Sequence, residues 1–374
     1  MTDHNDEAEQ PVDPFADEAP PEVAEVRPGE NLDWERIETY LRQGLPADLD
    51  LDGPLEVLQF PNGSANLTYL IRFGPTELVL RRPPFGTLAP GAHDMKREYK
   101  VLSVLWKIFD KAPRAYLFCD DHDIAGSDFF VMERRRGEVV RSVVPPSMRH
   151  HVDLGRRMGF ALVDAIAEFH LLEPSDVGLD DLGRPDGFVE RQVGGWKKRW
   201  DLVADPRYDN VMNDVHHRLE QSLPPSQRVS FVHNDLKLDN CMFNPDDPDR
   251  VISFFDWDMT TLGDPLIDFG TLLNYWPDPS DPPESGRLTH TGMAAMGLPT
   301  RAEISARYGE RSGLDVSGAN WYNAFAQWKT ATVVQQLHHR WLVGDSTNER
   351  METIAERLPV LLDTADVLLA EIGQ

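Results

Sequence analysis

The stretch Phe231-Val-His-Asn-Asp-Leu-Lys-Leu-Asp-Asn240 decides how this chain is read. It gathers His233, Asp235, Lys237 and Asn240 into one polar run behind the apolar pair Phe231-Val232. Phosphoryl transfer calls for these residue types. A carboxylate orients the attacking hydroxyl and takes its proton, a lysine neutralises charge on the moving group, and an amide oxygen coordinates Mg²⁺. A polar turn between strands would explain the loop but not this combination. A second run, Val251-Ile-Ser-Phe-Phe-Asp-Trp-Asp258, delivers Asp256 at the end of an apolar strand. Alone, Asp256 would read as a turn residue; after Asn240 it becomes the expected second metal ligand.

Outward from this centre, bulk properties narrow the class. A chain of 374 residues with 41% apolar content predicts two lobes with sizeable cores. The formal charge of −26 argues against nucleic-acid binding, which needs a basic face. Much of that charge lies in residues 1–30, where ten carboxylates face the single Arg27. This composition predicts an acidic disordered tail and makes net charge a poor guide to substrate. No apolar run approaches the roughly 18 residues of a membrane span, and the acidic, polar start lacks the form of a signal peptide. Cys119 and Cys241, the only cysteines, provide no disulfide framework and no four-thiolate zinc site, which points to a reducing cytoplasm.

The periodicity changes along the chain. Trp34–Leu41 has helical spacing behind the cap signal Asn31-Leu32-Asp33. Leu55–Phe60, Leu67–Phe73, Glu77–Arg82, Ala115–Cys119 and Asp128–Met132 read as strands, with a helix over 94–108. Beyond Glu133 helices dominate: 148–172, more between 188 and 222, 265–276, 319–342, and 350–372 with a kink at Pro359. Ser230–Val232 and Val251–Asp256 read as short strands around a polar turn. The expected fold is α+β, with a β-rich N-terminal lobe over 31–133 and a larger helical lobe over 134–374. A ligand cleft is expected between them.

The run H-N-D-L-K-L-D-N has the H-x-D-x-K-x-x-N pattern of a kinase catalytic loop. With F-D-W-D-M-T-T-L-G-D-P-L-I-D, ending at Asp268, it resembles the phosphotransferase-enzyme family of aminoglycoside and choline kinases. More narrowly, the chain is similar to the kinase-like domain fused to acyl-CoA dehydrogenases in animals and free-standing in bacteria. Phe60-Pro-Asn-Gly-Ser-Ala-Asn-Leu-Thr-Tyr69, Leu78-Val-Leu-Arg-Arg-Pro-Pro84, His93-Asp-Met-Lys-Arg-Glu-Tyr99, Phe130-Val-Met-Glu133 and Glu190-Arg-Gln-Val193 carry that narrower match. The resemblance implies a protein-kinase-like two-lobed fold using Mg²⁺ and ATP, with GTP left open. It implies Asp235 as base, Lys237 at the γ-phosphate, and Asn240 and Asp256 on the metal. It implies a phosphate-covering turn with Asn62, Gly63, Ser64 and Asn66, an Arg81–Glu98 ion pair, and an interlobe connection starting at Glu133 and Arg134 that meets the adenine.

Three positions depart from that pattern: Arg81 for lysine, Asn234 for glycine and Asp258 for glutamate. Arginine still clamps phosphates, and asparagine tolerates positive φ. The surroundings are read more plainly. His233 and Asp268 brace the loop, Asp264 is a cap, and Cys241 is a buried thiol. Trp196 and Trp200 pack, while the Pro277–Glu284 loop reads equally as connector or pocket wall. The acceptor is a small-molecule hydroxyl. The narrower resemblance points to a hydroxyacyl-CoA or related hydroxy compound; an aminoglycoside or amino-alcohol acceptor is one alternative, a nucleotide-binding pseudokinase scaffold another. Oligomeric state is not legible.

Overall fold

The computed structural model describes residues 22–61, 66–86, 94–141, 143–281, 293–346 and 348–372. Helix α1 (Trp34–Gly44) precedes a five-stranded antiparallel sheet. Its strands are β1 (Leu55–Gln59), β2 (Leu67–Phe73), β3 (Thr76–Arg82), β4 (Ala115–Cys119) and β5 (Phe129–Glu133), in the order β1-β2-β3-β5-β4. Helix α2 (Met95–Leu105) follows β3, its first turn capped by Asp94 at 2.9 Å from the Arg97 amide. A short α3 (His122–Ala125) links β4 to β5.

Alternation along the strands divides the sheet's two faces. Tyr69, Ile71, Phe129 and Val131 bury against Ile37 and Leu41 of α1. Val79, Phe130 and Met132 face the other way and join a core that includes Leu102, Phe109, Phe169, Phe254 and Trp257. That second core continues without a break into the helical part and seats the sheet on it.

The helical part comprises α4 (Leu154–Leu171), α5 (Phe188–Asp201), α6 (Asp209–Gln221), α7 (Leu266–Tyr275), α8 (Arg301–Ser312), α9 (Ala319–Leu342), α10 (Arg350–Thr353) and α11 (Leu358–Glu371). Helix α9 packs against both α7 and α11. Two small ribbons lie among the helices: β6 (Ser230–Val232) with β9 (Thr261–Gly263), and β7 (Cys241–Asn244) with β8 (Asp247–Phe254).

The α+β organisation follows the sequence reading, with differences in detail. The strand before Asp256 ends at Phe254, so Asp256 lies past it rather than on it; this strand, β8, pairs with β7, and β6 pairs with β9. Helix α8 was not anticipated, although Thr300 and Glu303 form a capping box at its start. The last helical stretch is broken rather than kinked. A 3₁₀ turn over Ile354–Arg357 intervenes, and Pro359 falls in the first turn of α11, where its missing N–H is tolerated. Residues 22–30 are not a free tail: Ala24 exchanges two 2.8 Å backbone hydrogen bonds with Gln59. Residues 1–21 lie outside the described residues, as does 282–284 of the proline-rich loop.

Candidate active site

The site is built from the turn after β6. Asn234 has φ 71° there, a left-handed conformation that asparagine tolerates better than most residues. Asp268, fully buried in the first turn of α7, holds the turn: it accepts the backbone N–H of His233 and of Asn234, each at 2.6 Å. His170 places Nε2 3.2 Å from the same carboxylate, and its other nitrogen, Nδ1, lies 2.8 Å from the Tyr308 hydroxyl. His233 donates from Nε2 to the Phe255 carbonyl at 2.8 Å, and burial pushes its pKa down. A neutral, loop-bracing histidine is what this geometry describes.

Asp235 follows at once. Lys237 Nζ lies 2.9 and 3.1 Å from its two carboxylate oxygens. Burial works against the charge on Lys237, but Asp235 outweighs it and holds the ammonium pKa above the ordinary value. Asn240 donates from Nδ2 to the Asp235 carbonyl (2.8 Å) and carboxylate (2.9 Å). Its amide oxygen is thereby the end left to accept a cation.

Facing this cluster is Arg81 of β3, with Nε 3.0 Å from Glu98 Oε2 and Nη2 paired with Asp256. Asp256, at φ 67°, turns the chain after β8. Burial raises its pKa and Arg81 more than reverses that, leaving the carboxyl below its ordinary range. One guanidinium cannot satisfy every acid around it. Burial pushes Glu98 up to about 8 despite Arg81, and burial together with Asp256 pushes Asp258 up to about 6.

The donor set suits Mg²⁺. Among the described residues no cluster of three or more His, Cys, Asp or Glu forms a ready-made cage. Mg²⁺ instead characteristically takes one or two protein oxygen ligands and completes its shell with water and substrate phosphates. Asn240 and Asp256 supply hard oxygens beside surplus negative charge. Asn66 is buried with neither amide atom hydrogen-bonded among the described residues, an orphan that a nucleotide phosphate or ribose would satisfy.

The structure thus brings together Asp235, Lys237 and Asn240, and separately Arg81, Glu98 and Asp256. Asn62, Gly63 and Ser64 lie outside the described residues. Glu133 turns its side chain to the Arg114 amide (3.1 Å) and to Arg135 (3.1 Å), while Arg134 pairs with Glu22 and lies over Phe60. Neither side chain joins the Asp235 cluster. Cys241 is buried and its thiol pKa is raised by that burial; Asp264 caps the Leu266 amide at 2.9 Å.

One residue near the centre was missed. Lys329 of α9 donates to the Asn234 carbonyl at 2.9 Å and lies 5.5 Å from the Trp196 ring centroid. A lone charge in the otherwise uncharged Asn323–Val334 segment was the available signal. Tyr275, whose ring centroid is 5.0 Å from Lys237 Nζ, was missed as well.

Residues 56–303 match the profile of the phosphotransferase enzyme family. The chain belongs to the phosphotransferase enzyme family. Members of the family are small-molecule phosphotransferases acting on hydroxyl groups. Acyl-CoA dehydrogenase family member 11 of Rattus norvegicus is 32% identical over 351 residues, 92% of this chain and 44% of the relative. Family member 10 of Mus musculus is 29% identical over 331 residues, 88% of this chain and 30% of the relative. The chain therefore spans less than half the length of these relatives.

Among solved structures, a Ralstonia eutropha JMP134 protein assigned to the aminoglycoside phosphotransferases superposes with TM-score 0.75 at 27% identity, covering 91% of this chain and 99% of that one. Choline kinase from Cryptosporidium parvum Iowa II gives 0.58 at 12% identity, covering 91% and 97%. An aminoglycoside phosphotransferase bound to ADP and hygromycin B gives 0.54 at 12%, covering 89% and 98%. The last two share the kinase-like fold. No helix among the described residues is long and apolar enough to cross a membrane.

Proposed function

We propose that the protein is a Mg²⁺-dependent small-molecule kinase that moves the γ-phosphate of ATP directly onto a substrate hydroxyl. The observation that carries this reading is the Asp235–Lys237–Asn240 cluster set opposite Arg81, Glu98 and Asp256. Asp235 orients the hydroxyl and accepts its proton. Lys237 neutralises charge on the transferring group, and Arg81 clamps nucleotide phosphate. Asn240 and Asp256 would hold Mg²⁺, which would supply positive charge against the nucleotide phosphates. Catalysis rests on position and charge, with no covalent intermediate on the chain.

For the acceptor, a hydroxyacyl-CoA or related hydroxy compound is the favoured reading. Aminoglycosides are polycations and call for carboxylates along their site. Beside Asp235 on the α5 and α9 side stand Lys329, Trp196 and Arg199, with Lys329 and Arg199 close enough to influence each other's charge. The names of the longer relatives also join this segment to acyl-CoA chemistry. The test is transfer of labelled phosphate from ATP across hydroxyacyl-CoAs and aminoglycosides in parallel. Labelling confined to aminoglycosides contradicts the acceptor assignment. Slow ATP hydrolysis with no acceptor labelled supports a pseudokinase scaffold instead.

A further inference from the structure

A cavity of about 140 Å³ lies between α7, α9, α11 and the 3₁₀ turn that precedes α11. Its lining is divided by chemistry. One end carries Asn274, Tyr275 and Thr330; the rest is walled by Val334, Leu337, Ile354 and Leu361, with exposed Arg357 at the rim. The polar end is the end nearest the reaction centre. Tyr275 presents its ring to Lys237 Nζ at 5.0 Å, and Lys237 in turn holds Asp235.

A second observation marks this space as more than a packing defect. Asn274 is buried to 5% exposure and gives its Nδ2 to Thr330 Oγ1 at 3.1 Å, yet its Oδ1 has no partner. A buried amide oxygen without a donor is costly, and native proteins rarely leave one so. The volume matters too. An apolar cavity of about 150 Å³ accepts a ligand the size of benzene and otherwise stays dry. The walls offer nothing for a sugar or a polyamine beyond that one polar end.

We infer that this cavity is the subsite for the unbranched alkyl portion of the phosphate acceptor, with Asn274 Oδ1 taking a hydrogen bond from a donor on the same molecule. The acceptor class is then a hydroxylated aliphatic compound whose hydroxyl sits at Asp235 and whose chain runs past Tyr275 between α9 and α11. This rests on the kinase reading above, but it adds a claim about chain length that the reading does not contain.

The test measures kcat/KM for a homologous series of straight-chain hydroxy acids and their CoA thioesters. Each methylene that enters the cavity is expected to raise kcat/KM about 3- to 4-fold until the space is full. Val334→Trp fills the space and should flatten the series; Val334→Ala enlarges it and should move the plateau to longer chains. A flat wild-type series, or a slope unchanged in both variants, overturns the subsite while leaving the kinase reading intact. If no acceptor is phosphorylated, the kinase reading fails, and binding of 1-hexanol decides the cavity alone. A rise in melting temperature with 1-hexanol in wild type and its loss in Val334→Trp supports the subsite; no rise in wild type overturns it.

Discussion

The ammonium of Lys329 donates to the backbone carbonyl of Asn234 at 2.9 Å, across 95 positions of sequence. It thereby holds the carbonyl of the left-handed residue before Asp235, whose N–H Asp268 holds. Burial lowers the Lys329 pKa, while Asp235 and Asp268 favour its charge. Losing a hydrogen bond from a charged donor removes about 1.5–3 kcal/mol. Lys329→Met is therefore expected to lower kcat about 10- to 100-fold with the ATP dissociation constant unchanged, and Lys329→Arg to recover part of the rate. Pre-steady-state kinetics with nucleotide titration checks this. A loss of melting temperature with kcat intact would reduce Lys329 to a packing residue.

Asp235→Ala should remove the base while leaving nucleotide contacts alone. The expected loss in kcat is about 10²–10⁴, with ATP affinity retained. Asp256→Ala should behave differently if Asp256 holds Mg²⁺ as proposed: nucleotide binding should lose its dependence on Mg²⁺. Calorimetric titration of ATP with and without Mg²⁺ separates the two. Near wild-type transfer by Asp235→Ala would sink the mechanism.

At about pH 9, above the Glu98 value of about 8, Arg81→Met leaves an ionised Glu98 buried beside Asp256 without its cation. Breaking a buried pair in this way costs about 3–5 kcal/mol. Urea unfolding should show that loss, and adding Glu98→Gln should return part of it. Strict additivity of the two substitutions would mean the pair does not couple.

Glu98 also gives a pH dependence. Its folded value of about 8 stands above the ordinary 4.5, so the folded state binds this proton more tightly than the unfolded one. That contribution to stability is complete below about pH 4.5 and is lost as pH rises towards about 8. Unfolding free energies of ligand-free protein across this range should fall more steeply for wild type than for Glu98→Gln. Parallel slopes would contradict the raised value.

The candidate site was more legible than the elements around it, for a physical reason. Phosphoryl transfer demands particular groups at particular spacings, so Asp235, Lys237 and Asn240 announce themselves within a few residues. Asp268 could be read as a brace because an acid opening a helix beside a turn has free amides to accept. Lys329 could not be placed in the same way, since its partner is a distant backbone carbonyl that any sequence would supply. Ser230–Val232 and most of Val251–Asp256 are strands as read, but their partners β9 and β7 were not, because strands of three and four residues carry almost no period. Helix α8 does have a readable start, the capping box of Thr300 and Glu303. The acidic composition before residue 31 spoke for disorder, but composition does not register a pair of backbone bonds to Gln59.

Those two bonds at Ala24 have a practical consequence. β1 is the outermost strand of its sheet, and Ala24 sits on its open side, where Arg27 also bonds the Gln59 side chain at 2.8 Å and Glu30 receives its amide. A strand with bare backbone invites a second molecule to extend the sheet. Residues 22–30 therefore act as a sleeve over that border. A chain trimmed to begin at residue 31 would keep Arg81, Glu98, Asp235, Lys237, Asn240 and Asp256 and still be the form prone to self-association.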